Sequence, residues 1–573
     1  MEKKTIILYG DRLTIDDLVS IARCRSAVQL TDNENIKNRM NRSIDIIQNI
    51  VKNNLPLYGV TTSFGGLAKN TISGQYADEL QSNLILALNM GAGPTLPLET
   101  IRAAMVLRAN AHLIGASAIR RIWDERLILF LSKNVTPLVP EFGSIGASGD
   151  LVPMSYIAAA LGGNDNRILV DFDGKTMSAP DALTILNIES LTFVPKEGLA
   201  MVNGTSVMAG SAALVTYDFA KLFAATLHVH AIAIQALVGG NQSFHPFVHH
   251  VKPHPGQVDI ASIMLDLLDG SKLISDNLDA NLTQENADRL IQDRYSIRCL
   301  PQFLGPMLET LRDVTRTLEI EMNSANDNPL VDVSTSKVYH GGNFLGEHVA
   351  MSMDRLRQSI GLMAKHLDVQ IAQLVTPEFS NGLPSCLIGN QGRPVNMGLK
   401  GLQLCGNSIM PYLLFLGQPM ADRFATHAEQ YNQNVNSMGL TCAQLARQSV
   451  NVMNQYIAVC LLFVTQAVDL RGKIHFNTYD PRLYLSTSTV QTYEAVRTIV
   501  QAKIDSSRPY LWNDGDRAVD KDIAKLAGSL VDENSPLVAA LHSTVKQLRH
   551  SKTKPDSSLT KICDYWSNTK NGS

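Results

Sequence analysis

Between residues 143 and 150 the chain reads Gly143-Ser144-Ile145-Gly146-Ala147-Ser148-Gly149-Asp150, and the apolar run from Leu151 to Ile157 follows at once. Three glycines in seven residues allow a tight turn and a close approach of backbone to backbone. Asp150 suits an N-cap and Pro153 a first helical turn, so the loop is predicted to open a helix. The phosphate-loop ending Gly-Lys-Ser/Thr is absent, as is the dinucleotide spacing. Ala147-Ser148-Gly149 offers another chemistry. In a strained turn the Gly149 nitrogen can attack the Ala147 carbonyl carbon, and glycine presents no side chain to block ring closure. Loss of the Ala147 carbonyl oxygen as the ring-closure water, and of the Ser148 hydroxyl as a second water, leaves a five-membered ring with an exocyclic methylidene, an electrophile that no ordinary side chain provides.

The octapeptide with its following helix resembles the prosthetic-group loop of the aromatic amino acid ammonia-lyase family. That family contains histidine, phenylalanine and tyrosine lyases and related aminomutases. The resemblance implies a 4-methylidene-imidazol-5-one (MIO) built from Ala147, Ser148 and Gly149, and no metal.

Other motifs extend the likeness over about residues 10–540. Tyr58, in Tyr58-Gly59-Val60-Thr61-Thr62-Ser63-Phe64-Gly65-Gly66, matches the tyrosine base on the family's lid. Removing a β-hydrogen beside an aromatic ring demands a strong base. A phenol of pKa about 10 serves only if that value is lowered towards working pH. Asn203, in a segment that alone would read as an Asn-Gly turn, matches the asparagine holding the imidazolone oxygen. In Gln292-Asp293-Arg294-Tyr295-Ser296-Ile297-Arg298, Arg298 matches the carboxylate-gripping arginine and Tyr295 a second active-site tyrosine, with Gln292 beside them. Asn328 matches a carboxylate-binding asparagine and Phe344 a pocket aromatic. Lys400, Glu429 and Gln433 match positions lining the substrate site, although a buried Lys400–Glu429 pair could equally be structural. On a helix, residues 429 and 433 would share a face.

Leu84, Ala87 and Leu88 fall on the helix that faces the substrate ring in the family. Leu88 stands where histidine lyases carry histidine, and Ala87 where phenylalanine lyases carry phenylalanine and tyrosine lyases histidine. The pair implies a phenylalanine-type lyase with room for larger rings. Gln433 replaces the glutamate of histidine lyases and favours a neutral ring.

Four histidines from His245 to His254 could suggest a metal, and His245 and His249 have helical ligand spacing. Prolines 246, 253 and 255 interrupt any regular helix, so the cluster reads as structural.

The elements that must position these residues are helical. Apolar periodicity at helical spacing runs through Ile15–Ala27, Asn35–Asn53, Tyr76–Asn89, Leu98–Ile114 and Ser117–Lys133. Further patterns cover Ser206–Val238, Phe303–Ala325, Phe344–Val375, Leu402–Phe415 and Asn436–Leu470, most of them long. The fold expected is mainly α, a bundle of long central helices with a small mixed N-terminal region and a hairpin around Asp173-Gly174. Regions are expected at 1–200, 201–475 and 476–573, with a frayed tail from about His550.

Of 573 residues, 45% are hydrophobic and 18% charged, and the net charge is −3. Neither nucleic acid nor an anionic membrane is implied as a partner. Seven scattered cysteines without a CxxC pair suggest reduced thiols and a cytoplasmic protein. No uninterrupted apolar stretch of membrane-spanning length is evident. The resemblance adds a homotetramer with shared active sites, acting on a small aromatic amino acid.

Overall fold

The computed structural model describes residues 5–274, 292–421, 423 and 427–549. The chain forms two compact units, one of residues 1–217, 314–354 and 419–447, the other of 218–313, 355–418 and 448–573. Both are mainly helical.

The first unit opens with the strand Ile6–Leu8, which pairs in parallel with Val28–Leu30 across the helix Ile15–Ala22. Thr14 and Asp17 close a reciprocal capping box at the start of that helix. The helices Glu34–Lys52, Ala77–Leu88 and Leu98–His112 lie within a few residues of their predicted bounds. The expected helix over Ser117–Lys133 begins only at Arg121, because Ala118 takes a left-handed conformation (φ +54°) that no α-helix admits. The hairpin is Leu169–Phe172 with Lys175–Ser178, extended to three strands by Val135–Pro137. Every residue from Thr100 to His112 is buried, including Arg102, Arg108, Asn110 and His112.

The long helices are Ser206–Ala236, Leu300–Met322, Glu347–Leu374 and Gly439–Phe476, and each contains one unit boundary, the fifth falling at 418/419 outside them. Ser206–Ala236 has the length and composition of a membrane span, yet its apolar window is entirely buried in protein. It is a core helix by position.

Buried arginines recur as caps for helix ends, whose last carbonyls lack intrahelical partners. In the first unit Arg102 donates to the carbonyls of Ile21, Ala22 and Leu131, and Arg126 to those of Leu161 and Glu189. In the second, Arg471 donates to the carbonyls of Ala236, Ser380 and Asn381.

Candidate active site

The loop 143–150 is held from three directions, all within the first unit. Gly149 has φ +71°, and a Cβ there would run into the carbonyl of Gly204, whose own φ is +133°. Both positions therefore require glycine. The two backbones meet as a short parallel bridge, with the Asp150 nitrogen donating to the Gly204 oxygen at 2.8 Å. Facing it, the Asn203 side-chain amide donates to the Ser148 carbonyl at 2.9 Å, and the Gly204 N–H reaches the same oxygen at 3.4 Å. On the far side Ser437 Oγ donates to the Gly146 carbonyl and the Met438 nitrogen to that of Ile145, both at 3.1 Å. Gln433 Nε2 donates to Ser148 Oγ at 3.3 Å.

Asp150 corrects the expected capping role. Its side chain does not cap the helix Leu151–Gly162 that it precedes. Its carboxylate accepts from the nitrogens of Val207 (3.0 Å) and Met208 (2.8 Å), in the first turn of Ser206–Ala236, and from Ser144 Oγ at 3.0 Å. Ser144 Oγ also donates to the Gly149 carbonyl. One carboxylate thus ties the reactive loop to the start of the longest helix of the first half of the chain. Complete burial pushes its pKa up to about 6 against these donors.

Tyr58 is half-buried, its ring edge-on to Phe64 and to His340, and its phenol oxygen accepts from the Gly65 nitrogen at 3.0 Å. The base of this loop is fixed: Leu57 and Val60 join Ile47, Ala118 and Val331 in a buried cluster, and Thr61 Oγ1 bridges Leu55 and Leu57. Gln81, fully buried, donates to the Gly59 carbonyl and accepts from the Leu199 nitrogen. It links the Tyr58 loop to the short helix Glu197–Val202 that ends at Asn203. The sequence reading missed Gln81, whose only signal is a glutamine on an otherwise apolar helix face.

The structure does not lower the Tyr58 pKa. Burial raises it, the Gly65 N–H opposes this, and the nearby Glu429 carboxylate raises it further. Glu429 is not on a helix. Residues 429, 430 and 431 are successive left-handed residues with φ of +50°, +54° and +64°, in a turn closed by an Ala428–Gln433 bridge. Much of Glu429 is exposed, but its carboxyl turns in against Gly65, and this burial raises its own pKa.

Asn328 is buried and accepts from the Gly341 nitrogen at 2.8 Å, close in sequence to the half-buried Phe344. Leu84 and Leu88 are half-buried and Ala87 exposed on Ala77–Leu88. Gln292, Tyr295, Arg298 and Lys400 belong to the second unit. There Arg298 stacks its guanidinium 4.3 Å from the centroid of the exposed Tyr295 ring, and Gln292 is exposed. Lys400 is exposed at the start of the helix Lys400–Leu416. His249 spends both ring nitrogens on the Ser243 carbonyl and Gln257, and His245 accepts from the Phe247 nitrogen.

A family model described as aromatic amino acid lyase matches residues 13–498. The chain belongs to this family of carbon–nitrogen lyases. It is 54% identical to a phenylalanine ammonia-lyase of Nostoc punctiforme over 92% of both chains. It is 42% identical to an aromatic ammonia-lyase of Loktanella atrilutea, covering 96% of this chain and 99% of that one. Among solved structures, Pantoea agglomerans phenylalanine aminomutase shares the fold with a TM-score of 0.82 and 31% identity, over 93% of this chain and 99% of the other.

Proposed function

We propose that the chain eliminates ammonia from L-phenylalanine to give trans-cinnamate, using an MIO electrophile formed from Ala147-Ser148-Gly149. One observation carries this reading. Ring closure retains the Ser148 carbonyl as the ring ketone, and the Asn203 amide already donates to that oxygen at 2.9 Å. The glycine at the attacking position lies in a left-handed turn against Gly204, where a side chain has no space. The residues fit the group. The electrophile supplies a carbon to which the substrate amine can add.

The remaining work falls to side chains. Asn203 Nδ2 and the Gly204 N–H hold the oxygen on which negative charge collects, a task for fixed donors in a water-poor site. Tyr58 takes the β-proton. Its Gly65 donor favours the phenolate while burial and Glu429 oppose it, so further lowering of its pKa has to come with substrate binding. Arg298 and Asn328 bind the carboxylate, with Tyr295 near the amine. Leu84, Ala87, Leu88 and Phe344 receive the ring, and Gln292, Lys400, Glu429 and Gln433 line the remainder. We place the enzyme in the cytoplasm as a homotetramer. Support for assembly comes from apolar side chains exposed along Lys400–Leu416, among them Leu404, Tyr412 and Phe415.

Intact mass tests the reading. The wild-type chain is expected to be lighter than its sequence by two waters, and Ser148→Ala to have full mass. A full-length mass for the wild type would overturn it. A β-amino acid as the main product from L-phenylalanine would overturn the lyase assignment alone.

A further inference from the structure

Arg108 stands behind the Asn203–Gly204 turn and has no exposure to solvent. Its Nη1 donates to the carbonyls of Ala200 (3.1 Å) and Asn203 (2.9 Å). Its Nε and Nη2 have no hydrogen-bond partner. Nη2 instead points at Gly204, where it and Asn326 Oδ1, also unpartnered, crowd the position that a Cβ would take.

This differs from the other buried arginines of the first unit. Arg102 uses Nε and both terminal nitrogens on helix-end carbonyls, and Arg126 uses both terminal nitrogens, on the helix-end carbonyl of Leu161 and the loop carbonyl of Glu189. Arg108 caps the end of Glu197–Val202 with one nitrogen and leaves two idle in the protein interior. The nearby carboxylates are engaged elsewhere. Asp327 pairs with Lys196 at 2.6 Å, Asp124 with His112 at 2.7 Å, and Asp150 with helix nitrogens and Ser144. A buried cation without a direct counter-ion is costly, and satisfying two carbonyls does not require one.

The peptide it grips explains its position. The Asn203 carbonyl and the Gly204 N–H are two ends of one peptide group. The guanidinium sits at the oxygen, and the N–H points at the Ser148 carbonyl. A cation on a peptide oxygen polarises that peptide and makes its N–H a stronger donor. The same contact fixes the backbone from which the Asn203 amide reaches the Ser148 oxygen.

We propose that Arg108 is a positioning residue that charges the donor pair formed by the Asn203 side chain and the Gly204 N–H, favouring negative charge on the Ser148 oxygen. It acts twice: while the Gly149 nitrogen closes the ring on the Ala147 carbonyl carbon, and again in each turnover. The inference rests on the MIO reading above.

The test uses the full-length wild type, Arg108→Gln, Arg108→Lys, Asn203→Ala and the Arg108→Gln/Asn203→Ala double variant. Intact mass is followed during and after expression, and kcat and KM are measured with L-phenylalanine. A wild type of full mass sinks the underlying MIO reading and this one with it. Given a wild type short by two waters, Arg108→Gln is expected to mature more slowly. Its kcat should fall roughly 10- to 100-fold with KM within about twofold, short of the loss for a donor removed outright. Arg108→Lys, which keeps the charge, should recover part of both. The double variant should be slower than Asn203→Ala, because the Gly204 N–H that Arg108 polarises survives there, but by a smaller factor than Arg108→Gln slows the wild type. Complete mass loss at the wild-type rate with unchanged kcat in both Arg108 variants would overturn the proposal, as would multiplying effects in the double variant. Failure of both Arg108 variants to fold would do the same, making the guanidinium a fold residue alone.

Discussion

The two loops to which the proposed chemistry falls are held in different ways. The Ala147–Gly149 loop is gripped by residues far away in sequence, at 203–208 and 433–438, through backbone contacts and buried donors. The Tyr58 loop is anchored mainly at its base, through Leu57, Val60, Thr61 and Gln81, and beyond Phe64 it leans on the turn at 429–430. One arrangement suits the covalent ring closure proposed for its backbone. The other presents a phenol on a segment whose outer part rests on a single neighbouring turn.

The comparison is broken most sharply by a pair of substitutions. Ser148→Ala should abolish both the mass deficit and turnover, the latter by on the order of 10³-fold or more. Tyr58→Phe should cut kcat by about 10²- to 10³-fold while leaving the deficit intact. A full-mass Tyr58→Phe chain would mean that the two loops are not separate devices. Asp150→Ala leaves two buried helix nitrogens without an acceptor. It should cost about 2–3 kcal/mol of stability, read by chemical denaturation, and delay ring closure. Ala87→Phe restores a wall beside the ring and should lower kcat/KM for bulky para-substituted substrates about tenfold relative to L-phenylalanine, a selectivity change with no effect on mass. The smallest effect concerns pH. The Glu429 carboxylate raises the Tyr58 pKa, so Glu429→Gln should lower it and move the rising alkaline limb of kcat/KM to lower pH. A limb that stays put or moves up would show that the pair does not couple.

Much of this was legible in the sequence because long helices declare themselves by apolar period. Ser206–Ala236 and Gly439–Phe476 fall close to their predicted bounds. Motifs marked the 143–150 loop and Asn203, and the structure brings the two together. What sequence hides is reach. Asp150 sits at the first turn of one helix and its carboxylate serves another that starts more than fifty residues later, because N-cap rules see only neighbours. The strand pair Ile6–Leu8 and Val28–Leu30 was half visible, since a parallel partner lies beyond an intervening helix. The turn at Glu429 defeats a helical reading because three non-glycine residues in succession adopt a conformation that local preference disfavours. Arg108 and Gln81 looked like polar interruptions in apolar patterns, and only their partners reveal what they hold.

The contacts of Ser437 and Met438 with the 145–146 backbone set an order of events in the cell. A ribosome-bound chain that has not yet emitted residue 438 lacks one wall of the loop, and Ser148 is then an ordinary serine in an unfinished turn. Three quarters of the protein must be synthesised and folded before the grip on that residue is complete. On the MIO reading proposed above, a copy cut short before residue 438 is left without the electrophile.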